Sequence, residues 1–214
     1  MTHMKSNTGQ YFEKEPLSEH APTSFTCRFE GIGFDFNGDS GIFSMKRADH
    51  GSSIMINAYI KERRAGRDKG ISLLDMGCGY GLVGVVLKRV FPELDVTMID
   101  INRRAVEYAK KNSERNSVRF VRVLQADGTE SFDAKYDTVL LNPPVRAGKN
   151  VVFSMYDRIY ENLNNGGKSY IVIQTKQGAA SSADKLNSLF GNCETLTIKS
   201  GYRVFKCVKL KEEV

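Results

Sequence analysis

Apolar and polar residues alternate through SFTCRFEGIGFDFNG on both sides of Gly31 and Gly33. A period of two predicts a β-hairpin, with Phe25, Cys27 and Phe29 on one arm and Phe34 and Phe36 on the other. SGIFSMKRADHGSSIMINAYIKE then passes from a short loop into a helix that turns Ile54, Ala58 and Ile60 inward. The basic, polar stretch ERRAGRDKG forms a joint. From Ile71 onward the pattern becomes strand and helix in turn. ISLLDMG is an apolar run closed by glycine and so a buried strand. LVGVVLKRVF is a helix, LDVTMID a second strand, and NRRAVEYAKKNSERN an amphipathic helix with Ala105, Val106 and Ala109 on its apolar stripe. VRFVRVLQAD and KYDTVLLNPP supply two more strands. Val152, Met155, Ile159 and Leu163 follow at helical spacing, with Gly166 as the stop. SYIVIQT is a fifth strand, Ser182 to Phe190 a short helix, and CETLTIKSGYRVFKCVKL two strands around Ser200 and Gly201.

Repeated strand–helix units predict an open, mostly parallel sheet with helices on both faces, whose ligands sit at the carboxyl ends of the strands. The last two strands are joined too tightly for a parallel crossover, so the final one runs antiparallel. The fold expected is therefore α/β and Rossmann-like, a seven-stranded mostly parallel sheet with an antiparallel last strand, preceded by the hairpin.

Composition narrows the class without choosing a function. The 214 residues are 41% apolar and 26% charged, with no stretch near the twenty apolar residues of a membrane span. The first twenty residues lack the apolar core of a signal peptide and read as a flexible polar lead-in. Cys27, Cys78, Cys193 and Cys207 are far apart and, with three histidines, make no zinc pattern. Reduced thiols in a cytoplasmic protein, with no metal and no membrane, are the expectation. The net charge of +6 suits a polyanionic partner such as RNA.

Chemistry concentrates in two turns. In LLDMGCGYGLVG, Gly79 to Gly84 fit the dinucleotide fingerprint G-x-G-x-x-G. Gly77-Cys78-Gly79-Tyr80-Gly81, preceded by Asp75, instead resembles the E/D-x-G-x-G-x-G motif of class I S-adenosylmethionine-dependent methyltransferases. Asp75 separates the two, since a carboxylate repels a pyrophosphate and complements an ammonium. Asp100, 19 positions after Gly81, ends the second strand where a carboxylate accepts from both ribose hydroxyls. Ile101 offers an apolar edge to an adenine, and Asp127, between Ala126 and Gly128, an acceptor for its amine.

Asn142-Pro143-Pro144 leaves the fourth strand at the same edge of the sheet. It resembles the N/D-P-P-x motif of amine-methylating class I enzymes, in which the Asn142 oxygen and the Pro143 carbonyl would accept the N–H bonds of the target amine. Pro144 would fix the direction of that carbonyl. The leaving group is a neutral thioether, so no strong base is needed. Residues 41–56, GIFSMKRADHGSSIMI, together with NPPVRAGK and TKQGA, resemble the single-domain members of the ribosomal-RNA guanine-N2 methyltransferase (small-domain) family. This resemblance implies one methyltransferase domain over 21–214, with 21–65 as a hairpin-and-helix extension and 71–214 as the catalytic core. It also implies transfer to an exocyclic amine, guanine N2 in ribosomal RNA. Val145 stands where many such enzymes carry a base-stacking aromatic, which makes Phe43 the candidate platform. Arg146, Lys149 and Lys176, on loops at this edge, are candidate phosphate contacts. The rival readings are transfer to a protein glutamine amide and a non-enzymatic RNA-binding factor on a methyltransferase shell. A nicotinamide dehydrogenase is supported only by Gly79 to Gly84.

Overall fold

The structure, a computed structural model, describes residues 21–39, 42, 47–130 and 133–210. Strands β1 (Thr23–Phe29) and β2 (Ile32–Gly38) form an antiparallel hairpin pairing Phe25 with Phe36 and Cys27 with Phe34. Its two-residue turn, Glu30-Gly31, has both φ angles positive, at 52° and 78°, the geometry that matches strand twist in tight hairpins. The free edge of β2 is held by a helix. Asn112 and Asn116, one turn apart, each accept a backbone N–H of β2 and donate to its carbonyl, at Asn37 and Asp35 respectively. The side chains thus complete the ladder as a third strand would.

Helix α1 (His50–Arg64) follows, capped by Asp49, whose carboxylate accepts from Ser52 N–H at 2.6 Å. It buries Ile54, Ala58 and Ile60 as the sequence predicts, and also Met55, Ile56 and Tyr59, because it lies between α2 and the sheet face of β7 and β9. The joint after it is not loose. Asp68, buried, accepts from the Tyr170 hydroxyl at 2.9 Å and from Thr138, and stands 3.8 Å from Arg63.

The remaining elements are β3 (Ser72–Met76), α2 (Leu82–Val90), β4 (Asp95–Asp100), α3 (Arg103–Arg115), β5 (Val121–Gln125) and β6 (Tyr136–Leu141). After them come α4 (Lys149–Asn162), β7 (Leu163–Gln174), α5 (Ala179–Phe190), β8 (Glu194–Lys199) and β9 (Tyr202–Val208). The sheet order is β5-β4-β3-β6-β7-β9-β8, with β3 to β7 parallel and β9 antiparallel to both its neighbours. The expected fold and the direction of its last strand are both present. Chain direction across the sheet reverses between β3 and β6, and a crevice opens at such a switch point.

Three boundaries differ from the sequence pattern. The fifth strand of the whole chain is shorter than VRFVRVLQAD suggests, because Ser117 and Phe120 adopt positive φ, 55° and 59°, and cannot continue an extended chain. Helix α4 ends at Asn162, before Gly166. Leu163 is already extended, and the Lys209 ammonium donates to the carbonyls of Tyr160 and Leu163, satisfying the helix end from outside. Helix α5 starts at Ala179, three residues before Ser182.

Candidate functional site

The glycine turn and the Asn-Pro-Pro turn face one cavity of about 510 Å³ above the carboxyl ends of β3, β4, β6 and β7. Met76 pairs with Leu141 at the end of the β3–β6 ladder, so Gly77 and Asn142 leave the sheet at the same level. Asp75, Gly77, Cys78, Gly79, Asp100, Ile101, Ala126, Asp127, Gly128, Asn142, Pro143, Pro144, Val145 and Arg146 all line the cavity, as do Asp49, Ser52, Tyr80, Asn102, Gln174 and Tyr202.

The glycine turn is short of side chains where α2 begins. Gly81, the residue before α2, has φ 91° and no side chain to cap the helix. Asp75 does the capping instead: its Oδ2 accepts from Gly84 N–H at 2.9 Å. The anion site at this helix start is therefore filled by the protein's own carboxylate, which leaves a pyrophosphate no place there. Gly84 has a packing reason to lack a side chain, since a Cβ on it would meet Met98 at 2.5 Å. The dinucleotide reading of Gly79 to Gly84 loses its support. A Cβ on Gly79, at φ 55°, would instead point into open space. Asp100 braces the turn, accepting from Gly79 N–H at 2.8 Å and from Asn102 N–H at 2.9 Å through different oxygens. Each oxygen keeps a lone pair for a ligand hydroxyl. Asp127 holds Thr129 N–H at 2.9 Å and its hydroxyl at 2.7 Å, a local turn at the cavity wall.

Charge in the cavity is one-sided. Four carboxylates line it, those of Asp49, Asp75, Asp100 and Asp127, against one basic side chain among the described residues, Arg146. Burial pushes Asp75 up to about 7, with repulsion from Asp100 adding to it, and burial pushes Asp100 up to about 6. Backbone N–H groups offset these shifts only in part. Such a site fits a ligand carrying positive charge and ribose hydroxyls. S-adenosylmethionine, with its sulfonium and ammonium, has both. No cluster that could hold a metal ion occurs among the described residues, nor any helix long and apolar enough to cross a membrane.

At the second turn, the chain bends tightly around Pro144 (φ −76°, ψ 74°), and the Pro143 carbonyl accepts from Val145 N–H at 2.9 Å. This is an inverse γ-turn, and it holds that carbonyl in one direction. The Asn142 amide is fixed too. Its nitrogen donates to Asp49 Oδ2 at 2.9 Å and to Ser52 Oγ at 3.0 Å.

The residues expected to contact substrate are less closely gathered. Val145 and Arg146 line the cavity, whereas Lys149 and Lys176 are exposed next to it, Lys149 with its ammonium 5.0 Å from the centre of the Phe153 ring. Phe43 lies outside the described residues. The sequence reading missed Asp49, Ser52 and Tyr202. Tyr202 opens β9, paired with Gln174 and seated so close to Gly51 that a Cβ there would meet its ring at 2.9 Å. The D-x-G-S spacing of Asp49, Gly51 and Ser52 carried a signal for these contacts, but Tyr202, 150 residues later, carried none. Tyr80 ties the glycine turn to the cap of α1 and to α3, since its hydroxyl accepts from Asp49 N–H at 3.4 Å and its carbonyl from the Asn112 amide at 2.8 Å.

Comparison with known proteins fits this geometry. Residues 33–206 match the family model of the methyltransferase small domain. The chain is 36% identical to the uncharacterized protein YbxB of Bacillus subtilis, over 94% of this chain and 98% of that one. It is 27% identical to ribosomal RNA small subunit methyltransferase C of Stutzerimonas stutzeri over 79% of this chain, and spans about half of that longer relative, 49%. Among solved structures, the 16S rRNA N2 G1207 methyltransferase RsmC of Thermus thermophilus, in complex with AdoMet and guanosine, superposes with a TM-score of 0.76 at 24% identity, covering 91% of this chain and 52% of that one. The chain belongs to the methyltransferase small-domain family, and it is an S-adenosylmethionine-dependent methyltransferase.

Proposed function

We infer that the chain transfers a methyl group to an exocyclic amine of RNA, guanine N2 in ribosomal RNA. The observation that carries this reading is the Asn142-Pro143-Pro144 turn, which brings two rigid acceptors, an amide and a backbone carbonyl, to the same cavity as the glycine turn. An amine attached to a purine is a weak nucleophile, because its lone pair is delocalised into the ring. Two acceptors for its N–H bonds pin the nitrogen and favour the pyramidal geometry of attack. S-adenosylmethionine supplies an activated methyl group and a neutral leaving group. The chain's own contribution is then orientation and exclusion of water.

RNA is supported by the ribosomal-RNA enzymes among the relatives, by the +6 charge, and by Arg146, Lys149 and Lys176 at the rim. An acidic cavity with a basic rim suits a base drawn inward while its phosphates stay outside. Incubation of labelled cofactor with total RNA and with protein extract, followed by nucleoside and amino-acid analysis, tests it. Label in N2-methylguanosine is the expected result, with RNA affinity that falls as salt rises. Label in methylglutamine instead would move the activity to a protein amide.

A further inference from the structure

Nothing in the Asn142 side chain alone decides which end of its amide meets the substrate. A 180° turn about the last bond exchanges oxygen and nitrogen with almost no change of shape. Only the oxygen can accept from an amine, so the choice matters to the chemistry proposed above.

We propose that Asp49 and Ser52, at the start of α1, are positioning residues that make this choice and so hold the Asn142 carbonyl ready for the amine. The proposal rests on the amine-transfer reading. A carboxylate can only accept, and Asp49 Oδ2 lies 2.9 Å from Asn142 Nδ2. Ser52 Oγ, at 3.0 Å, takes the second N–H. Turning the amide over would break both bonds and set its oxygen against a buried carboxylate, since Asp49 is only 9% exposed. With both donors spent on the α1 side, Oδ1 is the end of Asn142 left for a ligand in the cavity that all three residues line.

Asp49 is itself held. Oδ2 also accepts from Ser52 N–H as the helix cap, its carbonyl accepts from the Ser53 hydroxyl at 2.7 Å, and its N–H is tied to the Tyr80 hydroxyl in the glycine turn. The N-terminal extension thus supplies a working part of the site, 93 residues before the side chain it orients.

The test separates orientation from scaffolding. Serine and asparagine both cap helices well, but at position 49 only asparagine can extend an oxygen to Asn142. Asp49→Ser with Ser52→Ala should therefore lower kcat by about 10²–10³, the scale for losing one preorganised polar group at a reacting centre, and the conservative Asp49→Asn should recover most of that loss. Affinity for S-adenosylmethionine, measured by calorimetry, should be retained in both. In an Asn142→Ala background the same pair of changes should cost nothing further in kcat, because the group they position is gone. Selective labelling of asparagine gives a readout that needs no substrate. The Asn142 side-chain amide protons should be protected from exchange in the parent and in Asp49→Asn, and should lose that protection in the Asp49→Ser, Ser52→Ala variant. Unchanged protection in that variant, additive losses with Asn142→Ala, or an Asp49→Asn variant as impaired as the serine one would each overturn the proposal. If protection is lost as expected while Asn142→Ala keeps full turnover, the orientation stands, and it is the role of Asn142 in amine transfer that fails.

Discussion

The two turns that meet in the cavity leave neighbouring strands at the same level and solve opposite problems. Between Asp75 and Gly81 the chain removes side chains: Gly77 and Gly79, both at positive φ, line the cavity, whereas Gly81 makes room for Ala109 of α3, which a Cβ there would meet at 3.1 Å. Between Asn142 and Val145 it removes freedom, with two prolines and a γ-turn that fix a carbonyl. The charges differ as well. Asp75 and Asp100 line the cavity, and among the described residues neither has a cationic side chain hydrogen-bonded to it, which suits a ligand that brings its own positive charge. The Asn142 amide nitrogen has every bond it can make. One turn is built to be completed by a ligand, the other to be complete before it arrives. The comparison predicts that damage to the first appears in binding and damage to the second in turnover.

Gly79→Val should break the first turn outright. Its side chain would enter the open space before Gly79 and would also strain a φ of 55°. Loss of detectable calorimetric binding of S-adenosylmethionine is expected, and binding equal to the parent would show that the cofactor lies elsewhere. Asn142→Ala should do the converse, lowering turnover by about 10²–10³ with cofactor affinity kept. Asn142→Asp should fare no better in this chain, although related enzymes carry aspartate there. It would place a second carboxylate 2.9 Å from that of Asp49. Full turnover on the identified substrate in either variant would reduce the turn to scaffold.

A smaller effect is expected from Asp100, at the edge of the glycine turn. Asp100→Ala removes the acceptor proposed for ribose hydroxyls together with the brace on Gly79, and should weaken cofactor binding by about 1–3 kcal/mol. Unchanged affinity would leave Asp100 as a loop brace alone.

The smallest effect is that of pH. Asp75 and Asp100 sit above the ordinary value of 3.8, at about 7 and about 6. In the free protein the protonated forms are favoured, so these groups contribute stability below about pH 4 that is lost as pH rises through about 6 to 7. The bound cation needs the ionised forms. Cofactor affinity should therefore climb between pH 5 and pH 8 while the free protein becomes less stable, with Asp100→Asn flattening the binding profile. A one-unit shift corresponds to about tenfold in affinity. Affinity that is level across this range would remove the carboxylates from the account of cation binding.

What the sequence disclosed follows the same division. Strands, helices and the glycine turn were legible because each is written locally, in a period of two or 3.6 or in a glycine that permits positive φ. The end of α4 was not, because Lys209, 47 positions after Asn162, satisfies its carbonyls. Nor was the short β5, since nothing in the pattern marks Phe120 as left-handed. In the site, Asp75, Asp100 and Asn142 were readable from spacing within one strand–turn unit. Tyr202 was not, because it reaches the cavity from a remote element; Asp49 was marked by the D-x-G-S spacing, but its contact with Asn142 is set by what it meets there.

The side-chain ladder on β2 has a consequence for the order in which this chain can be made. The hairpin leaves the ribosome before α3, and the amides that close its edge follow 75 and 81 residues later. Until α3 is synthesised, the N–H and C=O groups of Asp35 and Asn37 stand open, and an open strand edge invites pairing with another chain. Asn112 then closes two accounts together, holding Asn37 and the Tyr80 carbonyl with a single amide. Docking of the hairpin and bracing of the glycine turn thus share one side chain, and a nascent chain stalled before Asn112 would carry neither a protected edge nor a braced glycine turn.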